Sequence, residues 1–209
     1  MTGPSFLPEP PLTGSVQKMF DEDVADMGFV MNVSRLWAYQ PAMIAGLFEL
    51  TTQSFRATGL TFRDRGLLVA ATASTVGDSY CALAWGHKLA ASGSGAAAAA
   101  VLRGDDTGLT DEERTMVSWA RTVVRNPNGT TGADVQALRD AGFSDAQVFA
   151  ITAFVALRLA FSTINDALGA RPDAELLDLA PADVVSAVTY GRPPRAPSEA
   201  GHPAGHTRP

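Results

Sequence analysis

Cysteine and charged residues are both scarce in this sequence of 209 residues. Its single cysteine, Cys81, excludes an internal disulfide and every metal site built from several cysteines, and it suits the reducing cytoplasm. Lysine and arginine together number 16, against 22 aspartates and glutamates, which gives a formal net charge of −6. This acidic balance disfavours nucleic acid and anionic membrane surfaces as partners. We therefore expect a cytoplasmic protein that binds neither.

The low charge content has a second consequence. Charged residues make up 18% of the chain and hydrophobic residues 46%, whereas average soluble domains carry about 25% charged residues. Much of the surface must therefore be weakly polar or buried against another subunit. The composition predicts a homo-oligomer.

Runs of alternating β-branched residues are also missing, whereas alanine, leucine and methionine recur with helical spacing. The sequence thus predicts an all-α, single-domain helical bundle over residues 13–190. Four prolines predict a flexible, extended arm over residues 1–12, and the Pro/Gly-rich residues 191–209 predict a disordered tail. The longest apolar stretch, residues 146–161, is interrupted by polar side chains and shorter than the roughly 18 apolar residues of a membrane span, so we expect a buried helix.

Capping residues and glycines predict where the helices begin and end. The predicted helices cover residues 15–27, 41–55, 62–76, 79–91, 96–102, 110–124, 133–140, 144–168 and 182–188, with a short turn from residue 32. Residues 92–95, with the sequence Ser-Gly-Ser-Gly, predict a loop between two of these helices.

Chemically versatile side chains concentrate at the start of the helix predicted from residue 79. Asp78, Cys81 and Trp85 are spaced by three and four residues, so they share one helix face. His87 is rotated about 120° from Cys81 and shares a face with Tyr80 instead. The helix start favours a thiolate or a bound anion, but the carboxylate of Asp78 one turn away would raise the pKa of the thiol.

Arg158 is the one charged residue in the middle of the most apolar predicted helix. Its guanidinium must find a carboxylate partner, a ligand anion or solvent at an interface. Asp64, Asp78 and Glu49 are candidate partners. The alternative to a role in ligand binding is a structural ion pair, either buried or between subunits.

Several segments resemble, in the same order, the alkylhydroperoxidase D and carboxymuconolactone decarboxylase superfamily. Residues 60–89 are similar to its core signature, residues 29–50 to the Asn-led helix and Pro-started helix before it, and residues 141–169 to its closing helix. The resemblance covers most of residues 28–172. It implies a helical bundle that assembles with copies of itself, as a dimer, a trimer or a hexamer.

The resemblance is weaker where the chemistry of the superfamily resides. Its peroxidase members carry two cysteines three residues apart, a histidine four residues later, and a glutamate one helix earlier. Here Tyr80 and Cys81 match a tyrosine and the second cysteine, but Asp78, Trp85 and Gly66 replace the first cysteine, the histidine and the glutamate. The second cysteine is the one that attacks peroxide in the family, so the resemblance implies that Cys81 could still be oxidised, without an internal resolving thiol.

The leading hypothesis is a diverged enzyme that carries out cofactor-free, non-redox chemistry, such as decarboxylation, elimination or isomerisation, on a small organic and anionic molecule. Asp78 would be the acid or base, assisted by Tyr80 or His87. Trp85 would stack on the substrate and Arg158 would bind its negative charge.

Two alternatives stay open. In one, Cys81 reduces a hydroperoxide and an external thiol regenerates it; in the other, the protein is a non-catalytic binding or scaffold member. Structural roles are also open: Asp78 as a helix cap, Cys81 and Trp85 as core residues, and His87 as a surface residue. We expect no cofactor and no metal, because one histidine and one cysteine six residues apart on a helix do not converge.

Overall fold

The computed structural model describes residues 4–56 and 58–194, and this part of the chain is helical without a β-strand. The all-α prediction is confirmed. In chain order the helices are α1 (Gly14–Met27), α2 (Asn32–Trp37), α3 (Pro41–Arg56), α4 (Phe62–Val76), α5 (Ser79–Leu89), α6 (Gly95–Leu102), α7 (Asp111–Arg125), α8 (Gly132–Asp140), α9 (Asp145–Ala167), α10 (Glu175–Leu179) and α11 (Ala182–Ala187).

Helix α4 lies at the centre of the bundle and packs against α5, α6, α7 and α9. Its residues 66–73 are all buried, which is the pattern of a helix that is enclosed on every side. Helix α3 packs along α9 and completes the opposite wall of the core. The start of α5 is thereby held between α4, α9 and the C-terminal segment.

Reciprocal capping contacts fix the starts of the main helices. Thr61 caps α4, Thr110 caps α7 and Ser144 caps α9, each accepting a hydrogen bond from the backbone three residues later. In all three the side chain at that third position bonds back to the cap residue. These caps are local in sequence, so the predicted helix starts agree with the observed ones.

The segment between α5 and α6 differs from the prediction of a loop. Residues Ala90–Ser94 stay in a wide π-helical turn, interrupted only at Gly93, whose φ is +81°. Glycine takes this left-handed conformation without steric strain, so the chain changes direction without leaving the helical path. Helices α5 and α6 are therefore joined directly.

The described part of the N-terminal arm packs onto the end of α9. The Phe6 amide donates to the Leu168 carbonyl at 2.9 Å, and the Arg171 amide donates to the Pro4 carbonyl at 3.2 Å. The Phe6 ring lies so close to Gly169 that a Cβ there would come within 2.6 Å of it. Of the predicted tail, residues 195–209 lie outside the described residues.

Helix α9 is long and apolar enough to span a membrane by length and composition alone. In the structure it contacts α3, α4, α7 and α8. Its buried residues include Ile151, Phe154 and Val155, which are fully enclosed. This is the packing expected of the predicted core helix.

Candidate functional site

A cavity of about 220 Å³ lies against the first turns of α5. Four of the predicted site residues line it: Tyr80, Cys81, Trp85 and Arg158. The rest of the lining is mostly apolar and comes from the first three helices with their connections, from α5 and from α9: Asp23, Asp26, Met27, Met31, Val33, Ser34, Ile44, Phe48, Ala84, Lys88 and Phe161. Asp78 and His87 are not part of this lining.

The central contact of the site joins Arg158 to Cys81. Nη2 of Arg158 donates to the Cys81 Sγ at 3.1 Å, and both residues are buried. The guanidinium also lies 4.9 Å from the centre of the Phe161 ring. Within residues 4–56 and 58–194, no carboxylate forms a salt bridge with Arg158, and its Nε has no hydrogen-bond partner.

The acidic partners proposed for Arg158 from the sequence are engaged elsewhere. Asp64 bonds to Thr61 in the cap of α4, and Glu49 accepts a hydrogen bond from Gln53. A buried arginine usually has a carboxylate partner, because the charge is otherwise poorly compensated. Here the buried partner is a thiol, which the sequence analysis did not predict.

Asp78 is the N-cap of α5 and lies behind the thiol. Its Oδ1 accepts a hydrogen bond from the Cys81 amide at 2.9 Å. The residue is completely buried, and its Oδ2 finds no hydrogen-bond partner in the described part of the chain. Its negative charge lies close enough to the Cys81 thiol to help raise the pKa of that thiol, although burial raises it more. The capping role proposed from the sequence is present, and it places a proton acceptor next to sulfur.

Opposing effects act on the Cys81 thiol. Burial raises its pKa most strongly, and the charge of Asp78 raises it further. Arg158 and the Ser162 hydroxyl lower it, but the pKa stays well above its ordinary value. The resting protein therefore keeps the proton on sulfur at neutral pH, and a thiolate must be formed as a substrate binds.

Tyr80 belongs to a separate hydrogen-bonded group. Its hydroxyl donates to Asp173 and accepts from the Val33 amide at 3.5 Å, while Asp173 also accepts from the Asn32 amide at 2.8 Å. Burial is the main reason that the pKa of Asp173 rises to about 6. Burial and the charge of Asp173 raise the pKa of Tyr80. This hydroxyl ties α5 to α2 and to the C-terminal segment.

Trp85 forms part of the cavity wall, and two cations approach its ring. The guanidinium of Arg65 lies 5.0 Å from the ring centre and the ammonium of Lys88 lies 5.4 Å from it. The ring of Phe62 packs beside Trp85 at 5.8 Å. Positive charge therefore lies against the Trp85 ring, which suits an anionic or electron-rich group beside it.

His87 lies on another side of α5. Its Nδ1 is 2.9 Å from the Leu179 carbonyl oxygen of α10. In residues 4–56 and 58–194, no group of three or more histidine, cysteine and acidic side chains is arranged to hold a metal ion.

Gly66, which matches the position of the glutamate in the resemblance to the peroxidases, packs closely against Leu89. A Cβ at Gly66 would lie 2.4 Å from a methyl carbon of Leu89, whose side chain fills this space. Leu89 is completely buried. A side chain at position 66 would therefore require the buried Leu89 side chain to shift.

The fold is similar to several solved structures, although no family model and no curated protein matches the chain. One is described as an alkylhydroperoxidase AhpD core, an uncharacterized peroxidase-related protein from Ralstonia eutropha JMP134, with 26% identity and a TM-score of 0.74. That match covers 82% of this chain and 94% of the other. A peroxidase-related protein from Silicibacter sp. TM1040 is 21% identical, covers 83% and 94%, and has a TM-score of 0.71.

A third similar structure is the debrominase Bmp8, as a cysteine-to-alanine variant in complex with 2,3,4-tribromopyrrole. It is 15% identical, covers 83% of this chain and 95% of that chain, and has a TM-score of 0.66. At this level of identity the likeness concerns the fold.

The bundle and its site define a class of all-α proteins in which a buried cysteine lies near the start of a central helix and faces a small cavity. Within that class, this chain is a diverged member of the alkylhydroperoxidase D-like and carboxymuconolactone decarboxylase superfamily. It retains one cysteine and lacks the first cysteine, the histidine and the glutamate of the peroxidase relay.

Proposed function

We propose that this protein is a one-cysteine reductase of small organic hydroperoxides, in which Cys81 attacks the peroxide and an external thiol regenerates it. The observation that carries the proposal is the 3.1 Å contact between Arg158 Nη2 and Cys81 Sγ. A guanidinium in this position stabilises the negative charge that develops on sulfur and on the leaving oxygen.

The burial of Arg158 supports a functional role. An arginine that is 4% exposed is expensive to desolvate, and its partner here is a neutral thiol. Fold stability alone would favour an apolar side chain of similar length at this position. The positive charge becomes favourable when sulfur or a bound substrate becomes anionic. Arg158 therefore stabilises a state that forms during the reaction rather than the resting protein.

Asp78 supplies the proton acceptor in this proposal. As a hydroperoxide enters, the thiol proton passes to Asp78, and Sγ attacks the terminal peroxide oxygen. The O–O bond breaks and sulfur is oxidised to a sulfenic acid. The leaving alkoxide takes the hydroxyl proton of that acid to become an alcohol, and the proton held by Asp78 replaces it. Asp78 thus acts on sulfur, on the side away from the cavity.

Regeneration requires reducing equivalents from outside the chain, because Cys81 is its only cysteine. An external thiol attacks the sulfenic sulfur, water leaves, and a mixed disulfide forms. A second external thiol then releases the Cys81 thiol and leaves as the external disulfide. Two electrons move in each cycle, from two thiols to one peroxide.

The cavity favours an organic substrate of modest size. Its volume of about 220 Å³ and its walls of Met27, Val33, Phe48 and Phe161 suit an apolar body. The cations near Trp85 suit a polar or anionic end. Cumene hydroperoxide is therefore expected to react faster than hydrogen peroxide, which has no apolar part to fill these walls.

The test measures consumption of cumene hydroperoxide by the full chain with dithiothreitol as the external thiol. Cys81→Ser, which keeps the side-chain size and can still accept a hydrogen bond from Arg158, is the matched control. We expect turnover in the native protein, none in the variant, and a sulfenic acid on Cys81 detected by mass after limiting peroxide. Equal turnover in both proteins would contradict the proposal.

A brominated aromatic is a second candidate substrate, favoured by the likeness to the structure that holds 2,3,4-tribromopyrrole. The same sulfur would accept bromine as the ring takes a proton, and an external thiol would then release bromide and form a disulfide. Bromide release from 2,3,4-tribromopyrrole, absent in Cys81→Ser, would support this substrate class over hydroperoxides.

Cofactor-free proton transfer, the leading hypothesis from the sequence, receives less support from the geometry. Asp78 and His87 do not line the cavity, and the Tyr80 hydroxyl is held by Asp173. The non-catalytic alternative would be favoured by binding of small aromatic acids without any reaction at Cys81.

We also propose that the protein self-associates. Met43 and Leu50 of α3 are 54% and 53% exposed, and Phe149 of α9 is 77% exposed. Large apolar side chains exposed on adjacent helices are typical of subunit interfaces. Light scattering should give a mass above 21.9 kDa, and a monomer at micromolar concentration would contradict this proposal.

A further inference from the structure

A short segment after α11 passes over the start of α5. We name residues 189–192 the C-terminal strap. The Ser79 hydroxyl donates to the Arg192 carbonyl at 2.8 Å. Gly191 has a φ of +72°, and a Cβ there would lie 2.5 Å from the Gly77 carbonyl oxygen and 2.7 Å from the Ser79 hydroxyl. Only glycine therefore allows the strap to approach α5 so closely.

The strap covers the rear of the thiol site. Asp78, which lies between Gly77 and Ser79, is completely buried. Among the described residues, neither the Asp78 Oδ2 nor the Tyr190 hydroxyl has a hydrogen-bond partner, and both atoms are buried. Tyr190 directly precedes Gly191, which packs against the Gly77 carbonyl and the Ser79 hydroxyl on either side of Asp78. Burial, and to a lesser extent the charge of Asp78, raises the pKa of Tyr190.

A second cleft lies on the other side of Tyr190. It has a volume of about 510 Å³, and its lining includes Arg103, Arg121, Arg125 and Tyr190. Arg103 and Arg125 are exposed, so this cleft opens to solvent. Tyr190 thus stands between a solvated, cationic cleft and the buried carboxylate of Asp78.

We propose that the C-terminal strap is a rear seal of the thiol site, with Tyr190 as a positioning residue that keeps water from the arginine-lined cleft away from Asp78 and Cys81. The seal holds the thiol in its protonated resting form. Displacing the strap would open a route for water and protons to Asp78 that does not pass through the substrate cavity.

The strap is anchored beyond its contact with Ser79. A guanidinium nitrogen of Arg192 lies 4.0 Å from Asp166 of α9, and the guanidinium lies 5.0 Å from the Phe6 ring centre. The N-terminal arm and the strap therefore meet on the same side of the bundle. Release of the seal requires these contacts to separate, while the core around α4 stays intact.

The direction of the expected change follows from the charged and polar groups that face sulfur and Asp78. Sulfur is faced by Asp78 and Lys88 of α5 and by Arg158 and Ser162 of α9. Asp78 is faced by Asp166 of α9, whose pKa is raised to about 6, and by Tyr190. Burial and Asp78 raise the thiol pKa more than Arg158 and Ser162 lower it. Water at the rear weakens all of these effects, so the net result is a lower thiol pKa.

The test is the pH dependence of Cys81 alkylation by iodoacetamide in the full chain. Gly191→Ala displaces the strap, and Tyr190→Ala removes the blocking ring. We expect the apparent pKa of the thiol to fall by about one unit in both variants, which is about a tenfold gain in thiolate at pH 7. Tyr190→Phe keeps the ring and should keep the native profile.

Gly108→Ala is the matched control for backbone strain. Gly108 also has a positive φ of +82°, but a Cβ there meets no atom within 4 Å. Its profile should equal that of the native protein. Circular dichroism identifies the variants that are folded. If Gly191→Ala does not fold, the inference is tested with Tyr190→Ala alone.

An unchanged or raised thiol pKa in folded Gly191→Ala or Tyr190→Ala would overturn the inference. The readout is independent of the proposed hydroperoxide chemistry, because alkylation needs no substrate turnover. A protein that reduces no hydroperoxide can still show the shift, and an active reductase can still lack it.

Discussion

Two buried arginines differ in what they contact. Arg121 of α7 is 8% exposed and Arg158 of α9 is 4% exposed. Arg121 donates to Asp106 at 2.7 Å and to the Val101 carbonyl at 3.3 Å. Arg158 donates to the Cys81 thiol, and its Nε is without a partner in residues 4–56 and 58–194.

The difference separates a structural arginine from a functional one. Arg121 is compensated by an opposite charge and a carbonyl, so it stabilises the resting fold. Arg158 is poorly compensated in the resting state, so its charge costs stability until an anion forms beside it. Positions that violate the rules of stable packing are those where function is most often found.

The largest expected effect is on reactivity. Arg158→Gln keeps a hydrogen-bond donor but removes the charge beside sulfur, and it should slow oxidation of Cys81 by cumene hydroperoxide by about two to three orders of magnitude. Arg121→Gln should leave the rate within roughly threefold of native, because distant sites act independently. Stopped-flow measurement of sulfenic acid formation gives both rates. Equal losses in the two variants would remove the distinction between the arginines.

The free energy of unfolding should depend more on Arg121 than on Arg158, which is the opposite of their effects on reactivity. Arg121→Met leaves Asp106 and the Val101 carbonyl without their partner and should lower the free energy of unfolding by about 3 kcal/mol. Arg158→Met replaces a poorly compensated charge with an apolar chain, so it should be neutral or stabilising by about 1 kcal/mol. Urea denaturation at pH 7 measures both values. A loss at Arg158→Met as large as that at Arg121→Met would show that the thiol contact is structural.

The features that could be predicted from the sequence are local. The caps at Thr61, Thr110 and Ser144 involve residues three apart, so the starts of α4, α7 and α9 follow from the sequence alone. The clustering of Asp78 and Cys81 on one face of α5 likewise follows from helical geometry.

The contacts that define the site are not local. Arg158 and Cys81 are 77 residues apart, and their pairing depends on how α9 is rotated against α5. Helical periodicity identifies the buried face of each helix but not which residues of two faces meet. The same limit applies to the C-terminal strap, whose contact with Ser79 spans 113 residues.

The next prediction concerns the buried carboxyl group of Asp173 and the pH dependence of the free energy of unfolding. Asp173 has a folded-state pKa of about 6, above its ordinary value of 3.8, so the folded protein binds a proton between these values that the unfolded chain releases. Its contribution to stability is complete below about pH 4 and is lost as the pH rises through 6. Asp173→Asn cannot titrate, so it should flatten the fall in stability over this range.

Urea midpoints at pH 4.5, 5.5 and 7 measure this dependence in both proteins. Asp166, whose pKa is also raised to about 6, remains in the variant, so part of the fall should persist. Asp166→Asn is the matched variant on the strap side of the site. An identical fall in the native protein and in Asp173→Asn would contradict a raised pKa at Asp173.

The smallest expected effect comes from Arg65, whose guanidinium lies against aromatic rings rather than against a carboxylate or a thiol. Its guanidinium lies 5.0 Å from the Trp85 ring centre and 5.5 Å from the Phe55 ring centre. Burial and the nearby charge of Arg158 lower the pKa of Arg65, so repulsion offsets part of what the rings supply. Arg65→Gln should therefore change the free energy of unfolding by less than about 1 kcal/mol.

Arg63→Gln is the matched control, because Arg63 is two residues away and forms a salt bridge with Glu113 at 2.5 Å. It leaves a carboxylate that is 8% exposed without its charge partner, so it should cost more, about 1–2 kcal/mol. Arg65→Gln should also raise the thiol pKa of Cys81 slightly, because one positive charge near Arg158 is removed. A larger stability loss at Arg65 than at Arg63 would mean that aromatic rings compensate a buried guanidinium as well as a carboxylate does. The charge of the partner would then not be enough to explain the contrast between Arg121 and Arg158.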